Sequence, residues 1–149
     1  MPRERRSFGA AALVSLALAG AAFWVWRAVA PPSGPVEPAW DRVACARCHM
    51  LVSDPAFAAQ LHLPSGEVLF FDDPGCLLLE RAEHPERTGP AWFHDSAGER
   101  WLAEGEARFV DGARTPMGHG FAAVGAGSAG ALDATAALAA LRAREAPAR

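Results

Sequence analysis

Nineteen residues from Phe8 to Trp26 are Ala, Leu, Val, Phe and Trp, interrupted only by Gly9, Ser15 and Gly20 and preceded by Arg3, Arg5 and Arg6. A run of this length can span a bilayer as a helix, and the arginines hold its N-terminal end on the cytoplasmic side. Trp24 and Trp26 fall where the far interface would lie. Residues 1–30 therefore read as a membrane anchor or signal, and an N-terminal transmembrane helix is expected. Ala28-Val29-Ala30 has the small-x-small form of a cleavage site, but Pro31 follows directly, and its rigid ring and missing N–H suit a protease poorly. An uncleaved, single-pass anchor fits better. Leu18-Ala19-Gly20-Ala21 has the outline of a lipoprotein box with alanine in place of the cysteine to be acylated, which argues against a lipid anchor.

The next segment, residues 31–39, carries four prolines between Pro31 and Pro38 and reads as an extended tether. A folded domain is expected over 40–144, with a frayed tail at 145–149. From Pro31 onward 16 acidic and 10 basic residues leave a charge of −6, which makes nucleic acid and anionic lipid poor partners. The expected location is the bacterial cell membrane, with the domain on the periplasmic side. Three cysteines in such a compartment leave at least one thiol free, bound to a ligand or paired between chains.

Within the domain, 57–63 alternates loosely and 67–71 is apolar, with Pro64-Ser65-Gly66 between them, so a β-hairpin is expected. Asp72-Asp73-Pro74 supplies an N-cap and a proline for the first turn of a leucine-rich helix over 76–83, which must stop before Pro85. Short strands are expected at 91–94, 101–102, 107–110 and 121–124, and Asp133 is placed to cap an alanine-rich helix running to about Arg144. The fold class is α+β, with small antiparallel sheets, helices and ββαβ-type units. Cys76 reads most simply as a small buried hydrophobe, and His62, His84 and His94 as isolated surface or hydrogen-bonded side chains.

The chemistry concentrates in Cys45-Ala46-Arg47-Cys48-His49-Met50. Thiolates and thioethers select soft ions such as Cu(I), and imidazole is accepted by several metals. The same letters spell C-x-x-C-H, the attachment signal for c-type haem, with His49 as proximal ligand and Met117 as the distal candidate. The hairpin that follows is unlike a small, mainly helical cytochrome. Structural zinc lacks a second C-x-x-C pair, and a thiol-disulfide exchanger would want its pair at the start of a helix. A plain Cys45–Cys48 disulfide leaves His49 and Met50 unexplained. A second soft cluster, Thr115-Pro116-Met117-Gly118-His119-Gly120, favours copper: Cys45, Cys48, Met50, Met117 and His119 are the candidate ligands of a low-coordinate Cu(I) site. No nucleophile accompanies the Asp72-Asp73 pair, so a binding and delivery protein is expected, not an enzyme.

Four motifs in order, CARCHMLVSDPAFAAQ (45–60), FFDDPGC (70–76), EARFVDG (106–112) and TPMGHGFAAV (115–124), resemble the NosL family of copper-binding accessory proteins that serve nitrous oxide reductase assembly. The resemblance covers most of residues 45–124. It implies an exported, membrane-tethered Cu(I) carrier built from ββαβ units, with a copper enzyme or copper-delivery proteins as partners. The family's ligand positions fall on Cys48, Met50 and Met117. The chain differs in having His49 where the family commonly has glycine, an apolar helix in place of a lipidated cysteine, and a short segment between Val124 and Leu132.

Overall fold

The computed structural model describes residues 4–29 and 32–145, with side chains described at 12–27 and 32–145. The chain divides into two compact units, Met1–Ala30 and Pro31–Arg149.

The first unit is one helix, α1 (Glu4–Val29). Its described apolar side chains are exposed, Leu16 and Trp24 by three quarters. Among the described residues no helix is long and apolar enough to cross a membrane. The anchor expected over 1–30 runs past that description. Residues 1–3, 30 and 31, the side chains of 4–11, 28 and 29, and tail residues 146–149 lie outside the described residues.

The second unit is α+β. Strands β1 (Ala59–His62) and β2 (Val68–Phe71) form the expected hairpin, followed by helix α2 (Pro74–Glu83). Then come β3 (Ala91–His94), β4 (Trp101–Ala103), β5 (Arg108–Asp111), β6 (Phe121–Val124) and helix α3 (Ala134–Glu145). The first four strands make an antiparallel sheet in the order β2-β1-β3-β4, and β5 pairs with β6 in a second, two-stranded sheet. One unit of the expected ββαβ kind results, β1-β2-α2-β3, whereas β5-β6-α3 ends on its helix without a further strand. Asp73 caps α2 by accepting from the Gly75 amide at 2.7 Å, and Asp133 caps α3 by accepting from Ala136 at 2.8 Å.

The core lies between the sheets and the two helices. Phe93 of the first sheet meets Phe109 of the second edge to face, with ring centroids 4.9 Å apart. Leu77, Phe71, Phe121 and Leu141 complete it, all buried. Every residue of β1 is buried, which explains why its alternation is only loose in sequence.

The described part of the proline segment, residues 32–39, also bonds to the folded domain. It is extended, and the Val36 amide donates to Gln60 Oε1 at 2.8 Å and Gln60 Nε2 donates back to the Val36 carbonyl at 3.1 Å. Pro38 is buried. The cause is Gln60 itself: a fully buried side-chain amide must find partners, and the Pro-rich backbone, lacking sheet bonds of its own, supplies them. His62, also buried, shares the Gln60 oxygen at 2.7 Å.

Candidate metal centre

The C-x-x-C hexapeptide is a tight turn. Cys45 N–H donates to the Met50 carbonyl at 2.7 Å, His49 N–H donates to the Cys45 carbonyl at 3.1 Å, and His49 takes a left-handed φ of 65°. The Ala46 amide donates to the Phe70 carbonyl at 2.8 Å, which fastens this turn to the end of β2. Two residues on, Asp72 leaves the strand, and Cys76 sits in the first turn of α2. Two separated pieces of chain, the 45–50 turn and the β2–α2 junction, therefore meet at one end of the sheet.

Their donor atoms converge. The sulfurs of Cys45, Cys48 and Cys76 and a carboxylate oxygen of Asp72 all lie within 4.8 Å of one another, an arrangement able to hold a metal ion. All three thiols are free. Cys45, Cys76 and Asp72 are at most 1% exposed, whereas Cys48 is half-buried and faces outward. The Cys48 thiol donates to Asp72 Oδ1 at 3.1 Å, and Asp72 Oδ2 is buried without a hydrogen-bond partner. An unpaired buried carboxylate oxygen is costly in a folded protein, and binding a cation there would relieve that cost. The position of the cluster at the N-terminus of α2 adds the positive end of the helix dipole, which favours anionic sulfur.

The three thiols do not titrate alike. The hydrogen bond from Cys76 pulls Cys45 down to about 6 against the opposing effect of burial. Burial pushes Cys48 up to about 12, with Asp72 and Cys45 adding to the rise. Cys76 is raised far above an ordinary thiol, first by its hydrogen bond to Cys45 and then by burial. Cys45 is thus the thiol that ionises most readily, while Cys48 and Cys76 hold their protons more tightly.

The second soft cluster is held against the first by Asp73. Its Oδ1 caps α2, while its Oδ2 accepts from the Met117 amide at 3.2 Å. The loop folds back through Gly118 and Gly120, whose φ values of 72° and 84° suit glycine. His119 packs on Gly75 so closely that a Cβ there would stand 2.6 Å from His119 Cβ and Cγ. Its Nε2 lies 3.7 Å from Cys76 Sγ. Arg144 of α3 donates to the His119 carbonyl at 2.9 Å and covers the Phe121 ring at 4.7 Å.

Of the five ligands expected from sequence, Cys45 and Cys48 fall in one cluster, and His119 adjoins it through Cys76. Met50 and Met117 are 43% and 39% exposed, outside the buried cluster. Met117 and Cys48 line one cleft of about 470 Å³, walled by Arg47, Glu80, Glu83 and Arg87. Arg47 grips Glu83 with two bonds of 2.6 and 2.8 Å. His49 is exposed. Sequence reasoning missed Asp72 and Cys76. Cys76 is buried as expected, but its sulfur faces the other thiols. The available signal was the odd cysteine count together with FFDDPGC, whose short strand-to-helix junction brings Asp72 and Cys76 to one spot.

Compared with protein-family models, with curated proteins and with solved structures, the chain matches none.

Proposed function

We propose that this chain is a membrane-tethered Cu(I) carrier of the NosL type, held at the periplasmic face by residues 1–30, which delivers copper to a copper enzyme such as nitrous oxide reductase. The observation that carries the reading is the convergence of three thiols with only Cys48 reachable from solvent, beside a cleft shared with the exposed thioether of Met117. Soft sulfur donors in this number favour Cu(I). A half-exposed thiolate allows delivery by ligand exchange: a client's sulfur or imidazole binds the ion before Cys48 releases it.

Haem is disfavoured by the same burial. Attachment through C-x-x-C-H requires both thiols to reach the porphyrin edge, and Cys45 is fully buried against Cys76. Zinc gains one argument, because Asp72 and Cys76 raise the donor count to four, the number a structural zinc takes. The exposed Met50 and Met117 thioethers favour copper over zinc.

The test is a competition titration of the full chain in detergent against colorimetric chelators, run in parallel for Cu(I) and Zn(II). The expected result is one tightly held Cu(I), preferred over Zn(II) and lost in Cys48→Ser. Preference for zinc, or copper binding indifferent to Cys48→Ser, overturns the reading.

A further inference from the structure

We infer that the protein holds its ion at two stations sharing Cys48: an outer loading station, where Met117 presents a thioether from the same cleft and Met50 an exposed one two residues along the chain, and a buried resting station formed by Cys45, Cys48, Cys76 and Asp72. This rests on the Cu(I)-carrier reading and deepens it by assigning where the ion enters and where it stays.

The two donor sets are separated by exposure. Among the described residues outside α1, the exposed large hydrophobic residues are Met50, Leu51 and Met117. Methionine ordinarily fills core gaps, so thioethers displayed in the neighbourhood of one half-buried thiol are unusual unless a soft ion or a partner meets them there. Met50 is two residues from Cys48, and Met117 lines the Cys48 cleft. The inner donors are at most 1% exposed apart from Cys48, and all lie within 4.8 Å of one another. Asp72 Oδ2 is buried and has no hydrogen-bond partner, which leaves it available as a donor to an ion. His119 closes the far side, with Nε2 3.7 Å from Cys76. Among the described residues of the cluster, Cys48 is the donor a client can reach.

The direction of travel follows from ligand chemistry. A thioether is neutral and binds Cu(I) weakly, while a thiolate is anionic and binds it strongly. The ion exchanges copper–thioether bonds for copper–thiolate bonds, copper stays Cu(I), and each thiol that becomes a ligand gives its proton to water. Delivery runs the same exchange backwards, with Cys48 as the last protein ligand.

Selenomethionine makes the stations distinguishable, because Met50 and Met117 are the only methionines besides Met1. The full chain, labelled with selenomethionine, is loaded from a Cu(I)–chelator complex, and the selenium edge is read by X-ray absorption. At one equivalent no copper–selenium contact is expected; at two equivalents it should appear. A copper–selenium contact at the first equivalent overturns the two-station arrangement and leaves the carrier reading standing. Retention of no copper at all removes the carrier reading and the stations with it. In parallel, Cys76→Ser and Asp72→Asn should each weaken retention of the first ion by at least about tenfold. Wild-type retention in both variants refutes the resting station, and the Asn variant keeps the test valid if the Ser variant does not fold.

Discussion

Replacing Asp72 by asparagine should make the metal-free protein more stable and the loaded protein relatively less so. Asp72 is 1% exposed, its Oδ1 accepts the Cys48 thiol at 3.1 Å, and its Oδ2 has no partner. A buried polar atom left unpaired costs about 1–3 kcal/mol. Asparagine keeps the acceptor that Cys48 uses, places an amide able to donate to sulfur where Oδ2 stood, and removes a negative charge next to the Cys45 thiolate. The apoprotein should therefore gain about 1–3 kcal/mol. The loaded protein loses an anionic oxygen beside the ion, and a loss of about 10–100-fold in affinity corresponds to about 1.4–2.7 kcal/mol less stabilisation on loading. Urea unfolding of the full chain, with and without chelator-buffered Cu(I), reads both quantities in one experiment. A variant that is weaker without metal and gains as much on loading as the wild type would refute the argument and make Asp72 a purely structural acceptor.

Three further outcomes are expected. Gly75→Ala forces His119 to move, because the new Cβ would stand 2.6 Å from His119 Cβ; an overpacking cost of about 1–3 kcal/mol should vanish in a His119→Gly background, where alanine's helix preference remains, and a double-mutant cycle of unfolding free energies without coupling would contradict the contact. Loading at pH 7–8 should release about two protons, from Cys48 and Cys76, and a third as pH falls below about 6 where Cys45 is protonated, so affinity rises with pH; potentiometric titration during loading counts them, and pH-independent binding would count against thiol ligands. Arg144→Ala removes the bond to the His119 carbonyl and the cover on Phe121, so stability should fall by about 1 kcal/mol and amide hydrogen exchange at Gly118 and Gly120 should quicken. Unchanged exchange there would mean that Arg144 does not hold the loop, leaving Asp73 and the Thr115 bonds to do so.

Much of the fold was legible because its signals are local. Pro64-Ser65-Gly66 marks the hairpin, Asp73-Pro74 starts α2 and Asp133 starts α3, and each does so through bonds spanning at most a few residues. The site was half legible for the opposite reason. Cys45 and Cys48 announce themselves by adjacency, but Cys48 meets Asp72 across 24 residues and Cys76 meets His119 across 43. Those meetings depend on where the β2–α2 junction and the 115–120 loop come to rest, and no short-range pattern encodes that. Asp72 and Asp73 look interchangeable in sequence, yet one caps the helix and the other turns into the thiol cluster. The docking of Val36 on Gln60 was hidden as well, since it follows from the burial of a glutamine whose need for partners shows only once β1 is covered on both faces.

The central claim is that a soft ion, not a haem, occupies the Cys45–Cys48 turn and its partners. The most direct measurement is to produce the full chain in a bacterial periplasm with haem-maturation machinery active, record the visible spectrum, and titrate the purified protein with Cu(I). A colourless protein that holds one Cu(I) tightly against the chelator, and fails to do so in Cys48→Ser, is the expected result. A covalent haem spectrum, or a colourless protein that leaves all Cu(I) with the chelator, would contradict it.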